Sequence, residues 1–490
     1  MALNVKAFSI SAHNRPQSET LKDVKSRCQS QGLPNGGLRL TVFVRMTNPF
    51  KRTQVAPGQQ SPTCPYSRYS FSRVTSALMA GLGIGLILAG VSMIRGFLPR
   101  QMTGNDFALA YISGRILREG RDPYTANLMD YNLAEKLPFK AEMGQATNPP
   151  LLLWSYKALS LFSPAAAFAL WVTIEVLSVW VIFLASWHLI TQRWSAAAWI
   201  LTLGLTICST PMFHHFWFSQ VQLPILAVLM TGFWFWRRGQ TTVACCLFAF
   251  AGVLKLYALT TILFPVLAAS GRYRRVLAVR SLAFLVFWAL LPGTQLWVSF
   301  FHSAAPYLGQ FRSGRFASYT ISSFVNGLLV TPNGISPPIV VARIASLFSL
   351  VCVVTLMLYT WSRCTLLHDA TGPENANACF CLLLVATLLC SPVAWSHYLV
   401  FLIFPLICIA DEVKAAIGQN RLRLGVLLTL GLVAANFAGY NLFPHANGLL
   451  KHFGGSVPTI GMFLLYYHFV SKLNQSARVP RPLASVVFGK

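Results

Sequence analysis

The sequence predicts an all-α polytopic membrane protein with about twelve transmembrane helices, because its apolar runs repeatedly approach the ~20 residues that cross a bilayer as a helix. Three observations carry this expectation. First, 55% of the residues are hydrophobic and only 11% are charged, with a mean hydropathy of +0.55. A soluble domain carries about 25% charged residues, so this chain has too few to cover a water-facing surface. Second, the Lys and Arg residues behind the net charge of +26 sit at the ends of apolar runs and in the N-terminal tail. That placement orients helices with their basic loops in the cytoplasm. It accounts for the charge better than nucleic-acid binding does, and no nucleic-acid partner is expected. Third, most of the eleven Cys residues lie inside apolar runs, and no CxxC pair has a partner pair. A zinc site or a disulfide framework is therefore not expected.

Taken in order, residues 1–72 are polar, basic and rich in Ser, Gln, Pro and Asn. They read as a disordered cytoplasmic tail, without the apolar core and cleavage site of a standard secretory signal. Met46 offers a second start, and the tail is similar in composition to a transit peptide, so the place of residues 1–45 in the mature protein stays open. The membrane domain is expected over 73–473. Its first span runs from about Val74 to Phe97, and Arg68 and Arg73 ahead of it place its start inside. The loop 98–148 is then outside. LLLWSYKALSLF, after Pro149 and Pro150, is too short to span and reads as an interfacial or re-entrant helix. Further spans are expected near 165–190, 195–212, 222–236, 241–255, 257–270, 278–300, 341–362, 378–393, 398–412, 423–443 and 457–472. A second outer loop covers 301–340, and a cytoplasmic tail covers 474–490. Under this order Arg193, Arg237, Arg238, Arg272 to Arg280, Arg363, Lys414 to Arg423 and Lys472 share the inner side. Arg312, Arg315 and Lys451 fall outside.

The first outer loop concentrates the acids. Asp106, Glu119, Asp122, Asp130, Glu135 and Glu142 are six of the thirteen Asp and Glu residues in the chain. A carboxylate is a ready general base, so the polar chemistry is expected here. Other short polar signatures are predicted to approach the same face. They are TNPP at 147–150, HHFWFSQVQ at 214–222, Lys255-Leu256-Tyr257, SYTISSFVNGL at 318–328 and SPVAWSHYLVF at 391–401. Polar groups converging on one face of a membrane protein suggest a cavity open to that side.

These residues resemble glycosyltransferase family 87. The stretch DFALAYISGRILREGRDPY is similar to that family's first-loop signature, through Asp106, Phe107, Tyr111, Asp122, Pro123 and Tyr124. Pro149 and Pro150 resemble its Pro pair, and Ser219-Gln220-Val221-Gln222 resembles a Gly-Gln-Val-Asn-like turn, with Ser in place of Gly and Gln in place of Asn. Lys255 matches a Lys, with Tyr257 where Pro is usual. Ser391, Pro392, Trp395 and His397 match an SP-x-x-W-x-H pattern. The resemblance extends from about residue 75 to 450. It implies a C-class glycosyltransferase fold and a polyprenyl-phosphate-sugar donor, mannose being the sugar of α-(1→2)-mannosyltransferases in the family. It also implies an inverting displacement at the outer face of a bacterial plasma membrane, onto a glycolipid or cell-envelope glycan acceptor, with Asp106 as catalytic residue.

The residue chemistry is compatible with this. A partly desolvated carboxylate at a helix end suits a base that takes the acceptor's hydroxyl proton. The leaving phosphate needs positive charge or hydrogen-bond donors. Lys255, His397, His214 and His215 are candidates, with Arg312 and Arg315 as a supplement. Tyr111, Asp122, Tyr124, Asn148 and Gln220 complete the expected substrate-binding set. No metal and no organic cofactor are expected, since a monophosphate leaving group does not require a divalent ion and carboxylates are sparse.

Each residue also has a plainer reading. Asp106 would cap the helix that begins at Phe107, and Asp122-Pro123-Tyr124 would form a turn. Lys255 would extend to lipid headgroups, and His214, His215 and Gln220 would be polar residues at an interface or helix end. Glu175, the acid deepest in an apolar run, would serve function or a structural hydrogen bond. The rival class is a transporter or flippase of a lipid-linked or small anionic substrate. It fits about twelve spans equally well but would show paired broken helices near the midplane.

Overall fold

The computed structural model describes residues 73–101, 106–139, 144–269, 271–306, 318–329, 339–365, 373–443, 445 and 448–478. Every regular element among them is helical. In chain order the helices are α1 (Arg73–Gln101), α2 (Asp106–Arg118), α3 (Leu128–Ala134), α4 (Pro150–Leu159), α5 (Pro164–Leu189), α6 (Ala196–Ile207), α7 (Thr210–Phe218), α8 (Gln222–Arg237) and α9 (Thr241–Leu254). There follow α10 (Leu263–Leu267), α11 (Gly271–Leu290), α12 (Thr294–Ser299), α13 (Ile321–Leu329), α14 (Ile339–Thr365), α15 (Pro373–Cys390), α16 (Ile403–Ala415), α17 (Gly418–Asn436), α18 (Gly448–Gly455) and α19 (Val457–Arg478). Two 3-10 segments, Leu256–Ile262 and Ser396–Leu402, link α9 to α10 and α15 to α16. The expected tail at 1–72, Glu142, Arg312 and Arg315 lie outside the described residues.

Local sequence sets the helix starts. Ser163, Ser195 and Ser209 each lie in extended backbone and accept a bond from an N–H three residues on, at Ala166, Ala198 and Met212. A Ser at this position satisfies a backbone donor that would otherwise have no partner. Pro164 and Pro211 follow within the first turn, where a missing N–H costs nothing. Glycine lets helices close up. α1 and α6 meet at Gly83 and Gly204, where an added Cβ would stand 2.6 Å from the Leu201 nitrogen and 2.5 Å from the Gly83 oxygen respectively.

Among the described residues four helices are long and apolar enough to cross a membrane: Arg73–Gly96, Pro164–Leu189, Arg343–Thr365 and Pro373–Cys390. Counting two bent pairs as single spans raises the number to six. The described elements are thus all helical, as in an integral membrane protein, and the expected count of about twelve spans is not confirmed. The physical reason is helix breakage. The run at 195–212 turns by 55° between α6 and α7, and the run at 278–300 turns by 88° at Gly293, whose φ is +94°. The runs at 222–236 and 241–255 are helices of 16 and 14 residues. α15 is the most enclosed of the four long helices. Its Phe380 stacks on Phe233 of α8 at 4.4 Å and lies 5.5 Å from Phe264 of α10. The expected end of the membrane domain at 473 falls inside α19, which continues to Arg478.

The basic helix ends gather on one face, as their placement in the chain predicts. Arg237 donates to Asn377 at 2.9 Å, and Asn377 donates to the Leu189 carbonyl at 2.9 Å. The Lys414 ammonium meets the Arg193 carbonyl, and Arg363 reaches Asn474 at 3.0 Å. Two acids fasten this face. Asp411 accepts from the Thr191 nitrogen at 2.9 Å, the Thr191 hydroxyl at 2.8 Å and the Trp194 indole at 2.9 Å. Glu412 takes Lys472 at 2.6 Å and His468 at 3.0 Å. The opposite ends of α4, α7, α8 and α9 and the 3-10 segment at 396–402 carry the remaining polar signatures.

Candidate active site

Asp106 is the first residue of α2 and is half-buried. A helix start favours a negative charge, yet burial pushes this carboxyl up from its ordinary 3.8 to about 6, and the nearby Lys255 charge offsets part of the rise. α2 is fixed by α4. Gly114 lies so close to it that an added Cβ would come within 2.5 Å of the Tyr156 carbonyl oxygen. Phe107 is fully buried against Phe168 at 5.2 Å and Tyr156 at 6.0 Å. The reactive end of α2 is thus held by its own apolar face.

Lys255 closes α9 in extended backbone, with φ −146° and ψ 115°. Its ammonium donates to Asn148 Oδ1 at 2.7 Å, and the Asn148 carbonyl accepts the Tyr124 hydroxyl at 2.6 Å. Asn148 therefore joins the first loop to the end of α9. The Tyr398 and Tyr156 hydroxyls also lie within electrostatic reach of Asp106. Tyr398 packs on Tyr257 at 5.0 Å between ring centres. Gln222 approaches both of these hydroxyls without reaching full hydrogen-bond alignment.

His397 stands where the chain breaks after α15. Its ring is 2% exposed and packs on Phe218 at 5.5 Å and Trp395 at 5.7 Å. Both ring nitrogens are buried without a hydrogen-bond partner, although Lys255, His214 and His215 are all within electrostatic reach. Buried polar atoms are normally satisfied, so an imidazole left open within electrostatic reach of an ammonium is suited to contact an anion. His214 is half-buried against Gly439. His215 Nε2 stands 3.4 Å from the Glu175 carboxylate, which itself accepts from the Trp171 indole at 2.9 Å. Gln220 is buried, with its Nε2 unpaired, just after Ser219. Ser219 is left-handed at φ 46° and ψ 57°, a conformation that favours Gly. That accounts for Gly being usual at this turn in the pattern read from the sequence.

Other expected site residues do structural work. The Tyr111 hydroxyl is spent on the Phe162 carbonyl at 2.8 Å, and its ring is buried beside Phe107 and Phe139. Asp122 accepts from the Tyr124 nitrogen at 2.9 Å, which makes it the turn of the plainer reading. The gathered acids disperse as well. Glu119 takes the Tyr131 hydroxyl and pairs with Arg121 at 3.5 Å, and Glu135 pairs with Arg115 at 3.1 Å. Of the described loop acids, Asp106 is the one whose charge is coupled to Lys255. Gln222, Tyr257 and Tyr398 fall within the polar signatures read from the sequence but outside the expected substrate-binding set, because their shared position depends on contacts between distant segments. Among the described residues no three of His, Cys, Asp and Glu are grouped as a metal ion would need.

The family model for glycosyltransferase family 87 matches residues 146–392, just over half of the chain. The chain belongs to glycosyltransferase family 87. It is therefore a membrane glycosyltransferase, and the transporter reading gives way. No curated protein and no solved structure matches. The family 87 match is narrower than the resemblance read over 75–450. It contains Asn148, His214, Gln220 and Lys255, begins after Asp106, Tyr111, Asp122 and Tyr124, and ends before His397. Geometry, rather than the match, links Asp106 to the matched segment.

Proposed function

We propose that this family 87 protein transfers a hexose from a polyprenyl-phosphate carrier to a hydroxyl of a glycolipid or cell-envelope glycan, with inversion at the anomeric carbon. The observation that supports the reading is that the Asp106 carboxyl and the Lys255 ammonium, which Asn148 holds at 2.7 Å, lie within electrostatic reach of each other, with Lys255 and His214 likewise within reach of His397. Asp106 takes the proton of the acceptor hydroxyl as its oxygen bonds to the anomeric carbon. The bond from that carbon to the phosphate oxygen breaks on the opposite side, and the polyprenyl phosphate leaves with the electron pair. Lys255, oriented by Asn148, and the open imidazole of His397 supply charge and hydrogen-bond donors to that phosphate. Mannose is the favoured sugar, from the resemblance of the first-loop motif. The basic face would lie in the cytoplasm and the reaction face outside it. The test is donor choice in membranes containing the protein. Labelled polyprenyl-phosphate mannose should pass its sugar to an endogenous acceptor, and the new linkage should have the opposite anomeric configuration to the donor. Transfer from a nucleotide sugar instead, or retention of configuration, would overturn the reading.

A further inference from the structure

A groove of about 1430 Å³ runs between the α1–α6 pair and the α16–α17 pair. Its middle is lined by apolar side chains such as Leu205 and Leu428. Its charged lining residues among those described are Arg193, Lys414 and Arg421, all at the basic face, and no acid lines it. The two acids nearest that end are already engaged. Asp411 is held by Thr191, Gln192 and Trp194, and Glu412 by Lys472 and His468. The Lys414 ammonium rests on the Arg193 carbonyl, so its charge stays at this mouth beside the exposed Arg193 and Arg421. The other end is pinned. Asn436, at the end of α17, accepts from the Thr210 nitrogen at 2.9 Å, and its carbonyl accepts the Thr210 hydroxyl at 2.9 Å.

We propose that this groove is a binding site for an anionic phospholipid of the surrounding bilayer, its headgroup on Arg193, Lys414 and Arg421 and an acyl chain between α6 and α17. Charge and shape choose this occupant. A long apolar slot with three basic groups at one mouth matches a molecule that is anionic at one end and hydrocarbon beyond it. On the proposed function, a lipid whose phosphate reacted at Asp106 would carry its charge away from Arg193, Lys414 and Arg421. Each Lys or Arg near an anionic lipid surface contributes about fivefold in affinity.

The full-length protein is purified and its melting is followed as phosphatidylglycerol or phosphatidylcholine is added, and co-purifying lipid is identified by native mass spectrometry. Phosphatidylglycerol should raise the melting temperature and phosphatidylcholine should not. Arg421→Gln, an exposed change, should weaken the phosphatidylglycerol response about fivefold, and Leu428→Trp, which fills the slot, should abolish it. Arg193→Gln combined with Arg421→Gln should weaken it about 25-fold. Equal responses to the two lipids, or an unchanged response in Arg421→Gln and in the double variant, would overturn the proposal. So would recovery of a polyprenyl lipid in place of phospholipid.

Discussion

Asp106 combines a helix start, which favours its charge, with burial, which opposes it, and burial wins: the carboxyl sits at about 6. A general base works only when ionised. The rate constant kcat/KM should therefore rise with pH up to about 6 and level off above it, and the same limb should be absent from any residual activity of Asp106→Asn. Stability runs the opposite way. The folded pKa lies above the ordinary 3.8, so the contribution of this group is full below that value and is lost as pH rises through about 6. Asp106→Asn should consequently melt higher than wild type at pH 7.5, with the difference closing below pH 4. Ser219 presents a separate residue-scale strain. A non-glycine residue at φ 46° costs about 1 kcal/mol, so Ser219→Gly should raise stability by about that amount in a denaturation experiment.

At the scale of elements, the site depends on how closely α2 and α4 approach. α2 carries Asp106, and Asn148 lies two residues before α4 begins. Gly114→Ala would drive a methyl group into the Tyr156 carbonyl, backbone that cannot swing away as a side chain would. Overpacking of this kind costs about 1–3 kcal/mol. The variant should lose transfer activity by more than its folded fraction falls, because α4 can yield only by moving Asn148 and with it Lys255. Comparing specific activity with the folded fraction measured by circular dichroism checks this. The breaks between elements matter equally. His397 and Gln220 are available to the site because the chain leaves helical geometry after Cys390 and at Ser219.

Across the whole molecule, the two-faced plan was legible because charge placement is local information. Arg193, Arg237, Arg363 and Lys472 follow apolar runs in the sequence, and the same groups gather on one face in the fold. The other face was legible as a set of short polar motifs, and Lys255 and Asn148 do meet across 107 residues. Apolar runs report burial but not helix continuity, so the bends at Cys208–Ser209 and Gly293 and the shortness of α8 and α9 were hidden. Side-chain partners were hidden too. Nothing near Tyr111 in the chain indicates that Phe162 takes its hydroxyl, and the loop acids look catalytic until Arg115, Arg121 and Tyr131 are seen to hold them. The central claim is that Asp106 is the base of a sugar transfer completed beside Lys255. Transfer of labelled mannose from polyprenyl-phosphate mannose, measured for wild type and Asp106→Asn inserted at equal levels in membranes, tests it most directly. A loss of about 10²- to 10⁴-fold in the variant is expected; transfer at the wild-type rate would contradict the account.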